Sequence, residues 1–265
     1  MGKLFAVVLT VITAVSTAIF AARVWWLPPD ISAHGAGIDH QLQETMLAAG
    51  VLFVLAQLGL AAFAWRSGSA RGAIRTFPGG ATPLVVLAIA LVGAEVLALT
   101  FVGSKVWAAV YEEPAAPDAL KIDVEAEQFA FYFRYPGPDG VFGAVHPELM
   151  SDATENFFGL DPARDTAARD DIVVPTLTIP VNRPVALTLR AKDVGHAFYV
   201  PALRIQQDFV PGLAIPLHFT ATQTGKYEIV CTQLCGLGHY NMRAYVEVVP
   251  QEQFDRWLKE QATQQ

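Results

Sequence analysis

Hydrophobic positions in this chain follow two patterns, and the change falls near residue 111. Before it, apolar residues come in long unbroken runs. Residues 4–22 are nineteen uncharged, mostly apolar positions; residues 46–65 contain only Gln57 as a strongly polar side chain, and residues 84–102 carry a single carboxylate, Glu95. A bilayer core needs roughly 20 apolar residues per helix, so three membrane-spanning helices are predicted, at about 4–24, 45–65 and 83–105. The first run is longer than the ~7 to 15 residues of a cleaved signal core and is read as a retained helix. Residues 28–43 read as a polar connector in which His34 and His40 are loop residues.

Arg66, Arg71 and Arg75 follow the second run with no acid among them. Short loops rich in arginine stay on the cytoplasmic side, which places everything after Tyr111 outside. A carboxylate in mid-bilayer costs a few kcal/mol, so Glu95 should face another helix or a neighbouring subunit.

Past the Pro-rich acidic linker at 112–117 the period falls to two, the signature of half-buried strands. Residues 122–135 form an aromatic-rich strand region ending in a Pro-Gly turn. Strands recur at 176–180, 185–193, 197–201, 215–221, 226–230 and 243–249, separated by turn residues. This spacing predicts an antiparallel Greek-key β-sandwich. Residues 139–171, rich in Asp, Ala, Gly and Pro, read as a surface insertion, and residues 251–261 as a short amphipathic helix. The predicted division is a membrane region, 1–111, and an exported domain, 112–265.

Composition agrees with a membrane protein bearing a globular part, since 53% of residues are hydrophobic. From residue 112 onward twelve Lys and Arg face twenty-one Asp and Glu, a balance of −9. Such a surface repels nucleic acid and would attract a basic protein.

Chemistry concentrates in one stretch, CTQLCGLGHYNM, residues 231–242, which holds both cysteines of the chain, Cys231 and Cys235, with His239 and Met242 behind them. Thiolate and thioether select copper(I), and imidazole suits copper in either state. No carboxylate lies in the stretch, which disfavours magnesium and calcium. Gly236 and Gly238 make a loop that can turn both sulfurs to one point. His196, in AKDVGHAFYVP, is the best further donor. The donors exceed the needs of one tetrahedral ion and suit two copper ions bridged by two sulfurs. A structural disulfide, a mononuclear blue copper site and zinc stand as the other readings; the second cysteine argues against blue copper and the methionine against zinc.

His196, Cys231, Gln233, Cys235, His239 and Met242, with their flanks at 193–212 and 224–242, resemble the binuclear copper A site of subunit II of cytochrome c oxidases. The resemblance implies membrane helices followed by a cupredoxin-like domain. It also implies a ligand set in which both cysteines bridge the coppers, each histidine binds one, and Met242 and the Gln233 carbonyl are weak ligands. It further implies that electrons arrive from cytochrome c, or from a cytochrome-bearing partner, and pass to haem in subunit I, where oxygen is reduced. The phrase at 128–133 matches the family's electron-accepting strand, with Phe129 and Phe131 where tryptophan is usual. Asp193 and Asp208 match family acids and are assigned to partner docking or the subunit boundary. Gln233 stands where many members have a glutamate that helps hold magnesium, so magnesium is not assigned.

The implied location is a bacterial plasma membrane, with membrane lipid around the helices and the copper domain on the periplasmic side. The copper subunit of a nitric oxide reductase and a membrane-anchored copper carrier are the alternatives. Filled donor positions argue against a quinol oxidase subunit, and three spans argue against nitrous oxide reductase.

Overall fold

The computed structural model describes residues 1–23, 26–67 and 82–263; Trp25, Arg71 and Arg75 lie outside the described residues. The chain separates into two compact units, one formed by Met1–Leu27 and Gly37–Val106, the other by Pro28–Ala36 and Trp107–Gln265.

The first unit is helical. Helices α1 (Gly2–Ala21), α2 (Gly35–Ser67) and α3 (Thr82–Tyr111) are each long and apolar enough to cross a membrane. Thr10, Thr13 and Thr17 donate their hydroxyls to the carbonyls of Ala6, Leu9 and Thr13. Each hydroxyl is thus satisfied within its own helix, as an apolar solvent requires. Lys3 at the start of α1 lies 5.5 Å from the ring centre of Trp65 near the end of α2, so these two helices run antiparallel.

Helix α2 starts about ten residues before the apolar run that predicts it. The backbone N–H of Gly35 donates to Ser32 Oγ at 2.8 Å, a serine cap that the hydropathy pattern does not weigh. His40 is therefore on a helix, with Nδ1 3.5 Å from Glu44, one turn on.

The second unit is a β-sandwich. Strands β1 (Leu120–Glu127), β2 (Ala130–Tyr135), β3 (Ile172–Val174), β5 (Pro184–Ala191) and β8 (Ile215–Thr220) form one sheet in the order β3-β2-β1-β5-β8. The other sheet takes the order β4-β10-β9-β6-β7, from β4 (Leu177–Pro180), β6 (His196–Val200), β7 (Ile205–Phe209), β9 (Gly225–Val230) and β10 (Arg243–Val249). The sheets are not wholly antiparallel, as alternation alone suggested: β1 pairs parallel with β5, and β4 parallel with β10.

Val124, Phe133, Leu187 and Leu189 from the first sheet, and Ile179, Phe198, Ile229 and Val246 from the second, are buried between the layers. Tyr135 ties the sheets together: its hydroxyl donates to the Thr178 carbonyl and accepts from the Thr178 N–H, both at 2.8 Å. Helix α4 (Gln251–Ala262) sets Phe254 and Trp257 against that same ring, at 6.4 and 5.1 Å between centres.

The outward face of the first sheet is covered as well. Asp123, Glu125 and Glu127 alternate along β1, a pattern that reads as solvent-facing, yet residues 139–171 lie over them. Phe157 stacks on Tyr132 at 3.6 Å, and Asp171 meets the fully buried Arg134 at 2.5 Å. Glu125 is only 1% exposed. Burial pushes its carboxyl up to about 8, against the pull of Arg190 and Lys192 and with the push of Glu127 and Asp123.

From about pH 4.5 to 8 the unfolded chain has lost this proton and the folded chain keeps it, so stability falls as pH rises through that window. We expect Glu125→Gln to flatten that fall and to leave the variant more stable at alkaline pH, by on the order of a few kcal/mol. Thermal unfolding of both chains across the window tests this; equal slopes would refute it.

Candidate metal centre

The cysteine stretch is the loop between β9 and β10. Its ends are pinned where Cys231 N–H donates to the Met242 carbonyl at 3.2 Å, one step before Val230 pairs with Arg243. Inside, His239 N–H donates to Gly236, Asn241 N–H to Gly238 and Met242 N–H to His239, so a tight turn returns His239 and Met242 towards the cysteines. Gly236 has φ +138° and lies under Gln128, whose Nε2 would be 2.6 Å from an added Cβ. Gly238 lies under Phe129, where an added Cβ would meet Cδ2 at 2.4 Å. Both positions require glycine because another segment occupies the side-chain space.

The six predicted donors come together. The two sulfurs are 3.9 Å apart, nearly twice the ~2.05 Å of a disulfide, and both cysteines are free. Cys231 Sγ lies 3.1 Å from the Gln233 carbonyl oxygen. Cys235 Sγ lies 3.5 Å from His239 Nδ1 and 3.7 Å from Met242 Sδ. His196, the first residue of β6, joins them from another strand, and one of its ring nitrogens lies within 4.8 Å of both sulfurs. His196, Cys231, Cys235 and Met242 are all buried, and His239 is half-buried.

Two observations show that these donors fit a metal. Nδ1 of His196 is buried with no hydrogen-bond partner among the described residues, while Nε2 is held 2.8 Å from Asp193 Oδ1. A buried nitrogen left unsatisfied beside two thiols is destabilising unless something accepts its lone pair. The thiols are also unequal. Burial pushes Cys231 up, but the adjacent His196 imidazole, the backbone at Ala197 and Gln233, and His239 outweigh it and bring this thiol down. Burial and the neighbouring Cys231 push Cys235 up. A soft cation would replace the missing positive charge beside the second sulfur.

The remaining predicted residues separate by exposure. Phe129 is 40% exposed, whereas Phe131 is 2% exposed and packs on Phe209. Asp208 Oδ2 is 3.4 Å from Gln233 Nε2. Asp193 is turned inward to His196, a role that its match to family acids did not suggest. Gln128 was not singled out from sequence, yet its Nε2 donates to the Cys235 carbonyl. Its only local signal is adjacency to Phe129. His218 bonds the Glu113 carbonyl through Nε2 at 2.7 Å, and His146 lies 3.5 Å from Glu148, so neither belongs to this centre.

Residues 163–249 match the family described as cytochrome C oxidase subunit II, periplasmic domain. The alternative cytochrome c oxidase subunit 2 of Bradyrhizobium diazoefficiens is 31% identical over 241 residues, covering 90% of this chain and 84% of that protein. Cytochrome c oxidase subunit 2 of Synechocystis is 30% identical over 146 residues, 55% of this chain but only 34% of the relative. Among solved structures, the periplasmic domain of subunit II of cytochrome oxidase from Bradyrhizobium japonicum shares 23% identity over 57% of this chain and 99% of its own, with a TM-score of 0.42. The extent of the match to the Bradyrhizobium diazoefficiens protein places this chain in the cytochrome c oxidase subunit II family.

Proposed function

We propose that the chain is the electron-accepting subunit of a respiratory cytochrome c oxidase. In this reading His196, Cys231, Cys235, His239, Met242 and the Gln233 carbonyl hold a binuclear copper A centre. The observation that carries it is the pair of free, buried sulfurs 3.9 Å apart with an unbonded imidazole nitrogen facing them. When bound, a copper pair supplies a one-electron carrier that a partner can reduce and re-oxidise.

The chain's own residues supply the surroundings. The β9 to β10 loop presents both thiols, a thioether and an imidazole from one short segment, so little rearrangement is needed on loading. Burial of Cys231, Cys235, Met242 and His196 excludes water and limits reorganisation. Phe129, seated over Gly236 and Gly238 and open to solvent, is the surface contact through which a cytochrome c, or a cytochrome-bearing complex, delivers electrons. Asp208 and the net negative charge of residues 112–265 draw a basic donor towards it.

Oxygen reduction belongs to a haem-bearing partner, subunit I. None of the six histidines lies in the three predicted apolar runs, and those along the membrane segment, His34 and His40, precede the second run. Residues 1–111 then anchor the protein in a bacterial inner membrane, and residues 112–265 work on the periplasmic side. Gln233 is neutral, so no magnesium is placed beside it.

The test is a copper count with visible and electron-resonance spectra on the purified full chain. Two coppers per chain, with a delocalised multi-line resonance that is bleached by a donor cytochrome, are expected. One copper or none, or the two cysteines joined as a disulfide in the active protein, would reject the proposal.

A further inference from the structure

The two parallel strands β1 and β5 end side by side. Ala126 is in register with Ala191, and Lys192 N–H donates to the Ala126 carbonyl at 3.0 Å. Beyond that point the departing chains remain joined: Lys192 ion-pairs with Glu127, and the Gln128 N–H donates to Asp193 Oδ2 at 2.8 Å. The Gln128 and Asp193 side chains then reach the candidate metal centre. Gln128 Nε2 donates to the Cys235 carbonyl at 2.5 Å, while Asp193 Oδ1 accepts from His196 Nε2 at 2.8 Å. One continuous path, from Cys235 through Gln128 and Asp193 to His196, therefore links the cysteine loop to the His196 imidazole.

We propose that Gln128 and Asp193 are positioning residues for the metal centre, a brace that sets the separation and orientation of the Cys235 loop and the His196 ring before metal arrives. The inference rests on the reading that His196 and the two cysteines hold copper. Three physical steps support it. A carboxylate at Nε2 keeps the proton there, so the lone pair of His196 is on Nδ1, the buried nitrogen that has no other partner. Tethering the Cys235 carbonyl restrains a loop that two glycines would otherwise leave loose. Both oxygens of Asp193 are consumed within the domain, the first also accepting the Val194 N–H at 2.6 Å. These bonds hold its carboxylate in one orientation against the His196 ring.

The experiment compares the copper-loaded full chain with Gln128→Leu, Asp193→Ala and Asp193→Asn. Release of copper to a chelator is followed by loss of the visible band, and alkylation of Cys235 is timed in the copper-free chains. Gln128→Leu and Asp193→Ala should release copper about 10- to 100-fold faster, the usual penalty for removing a residue behind a metal ligand, and with a shifted band. Asp193→Asn should fall between, because its amide oxygen still accepts from His196. Copper-free Gln128→Leu should alkylate faster than the parent at an unchanged unfolding temperature. Parental release rates, band position and alkylation in Gln128→Leu and Asp193→Ala would overturn the brace. The alkylation arm needs no metal, so a parent that takes up no copper overturns the functional reading while that arm still decides on the brace.

Discussion

Cys231→Ser is expected to abolish the delocalised copper signal, leave fewer than two coppers per chain and slow donor oxidation by at least about 100-fold, more than is lost when only a residue behind the ligands is removed. The substitution exchanges one atom for a slightly smaller one at a site that is 7% exposed. The loop closure at this position is a backbone bond, Cys231 N–H to the Met242 carbonyl, and does not depend on the sulfur. The sandwich should therefore fold and the three helices insert as in the parent.

The metal chemistry responds differently. In the parent, His196, His239 and nearby backbone hydrogen bonds already draw the Cys231 thiol towards its anionic form, so a soft ligand is prepared at neutral pH. A serine hydroxyl is neither soft nor ionised there. Cys235→Ser should fail in the same way, since a bridged pair needs both sulfurs. Spectra and copper counts on the two purified variants decide the matter, and a parental spectrum in either one would show that the sulfurs do not bridge a metal pair.

The second large effect concerns stability. Arg134 is fully buried beneath residues 139–171, its Nη2 on Asp171 and on the Gly143 carbonyl and its Nη1 3.6 Å from Asp123. Phe142 and Phe158 lie 4.9 and 5.7 Å from the guanidinium. Arg134→Met keeps much of the side-chain volume but leaves the buried Asp171 without its ion-pair partner and leaves Asp123 only the more distant Arg190. Stranding a buried charge typically costs about 3 to 5 kcal/mol, which for a domain of this size is a fall of roughly 6 to 20 °C in the midpoint.

Replacing the pair together, Arg134→Met with Asp171→Leu, should recover much of that loss, because an apolar pair in place of a buried ion pair is often neutral. Thermal unfolding of the full chain measures both. A single variant within about 1 kcal/mol of the parent would mean that water already reaches these groups.

What the amino-acid order determined by itself was local. Long apolar runs specify helices that can span a bilayer because length and composition suffice for that choice. The six candidate donors were recognisable because five of them, all but His196, lie within one loop, where spacing alone brings them to a point. The amphipathic period of two announced strands, and Phe254 with Trp257 announced α4. The start of α2 at Gly35 was hidden because a serine cap, and not hydropathy, sets it.

Tertiary structure decided which strands are neighbours and which faces stay dry. Alternating Asp123, Glu125 and Glu127 signal an outward face, but only the fold shows that residues 139–171 cover it and that Glu125 is buried. Phe129 and Phe131 point to opposite fates, one at the surface and one in the core, although both belong to the same strand region. Gln128 and Asp193, 65 positions apart, meet only because β1 and β5 lie parallel. Closing a long loop is only slightly harder than closing a shorter one, so chain separation carries almost no information about such pairings. They are chosen by how the whole set of apolar faces packs, and that choice is made in three dimensions.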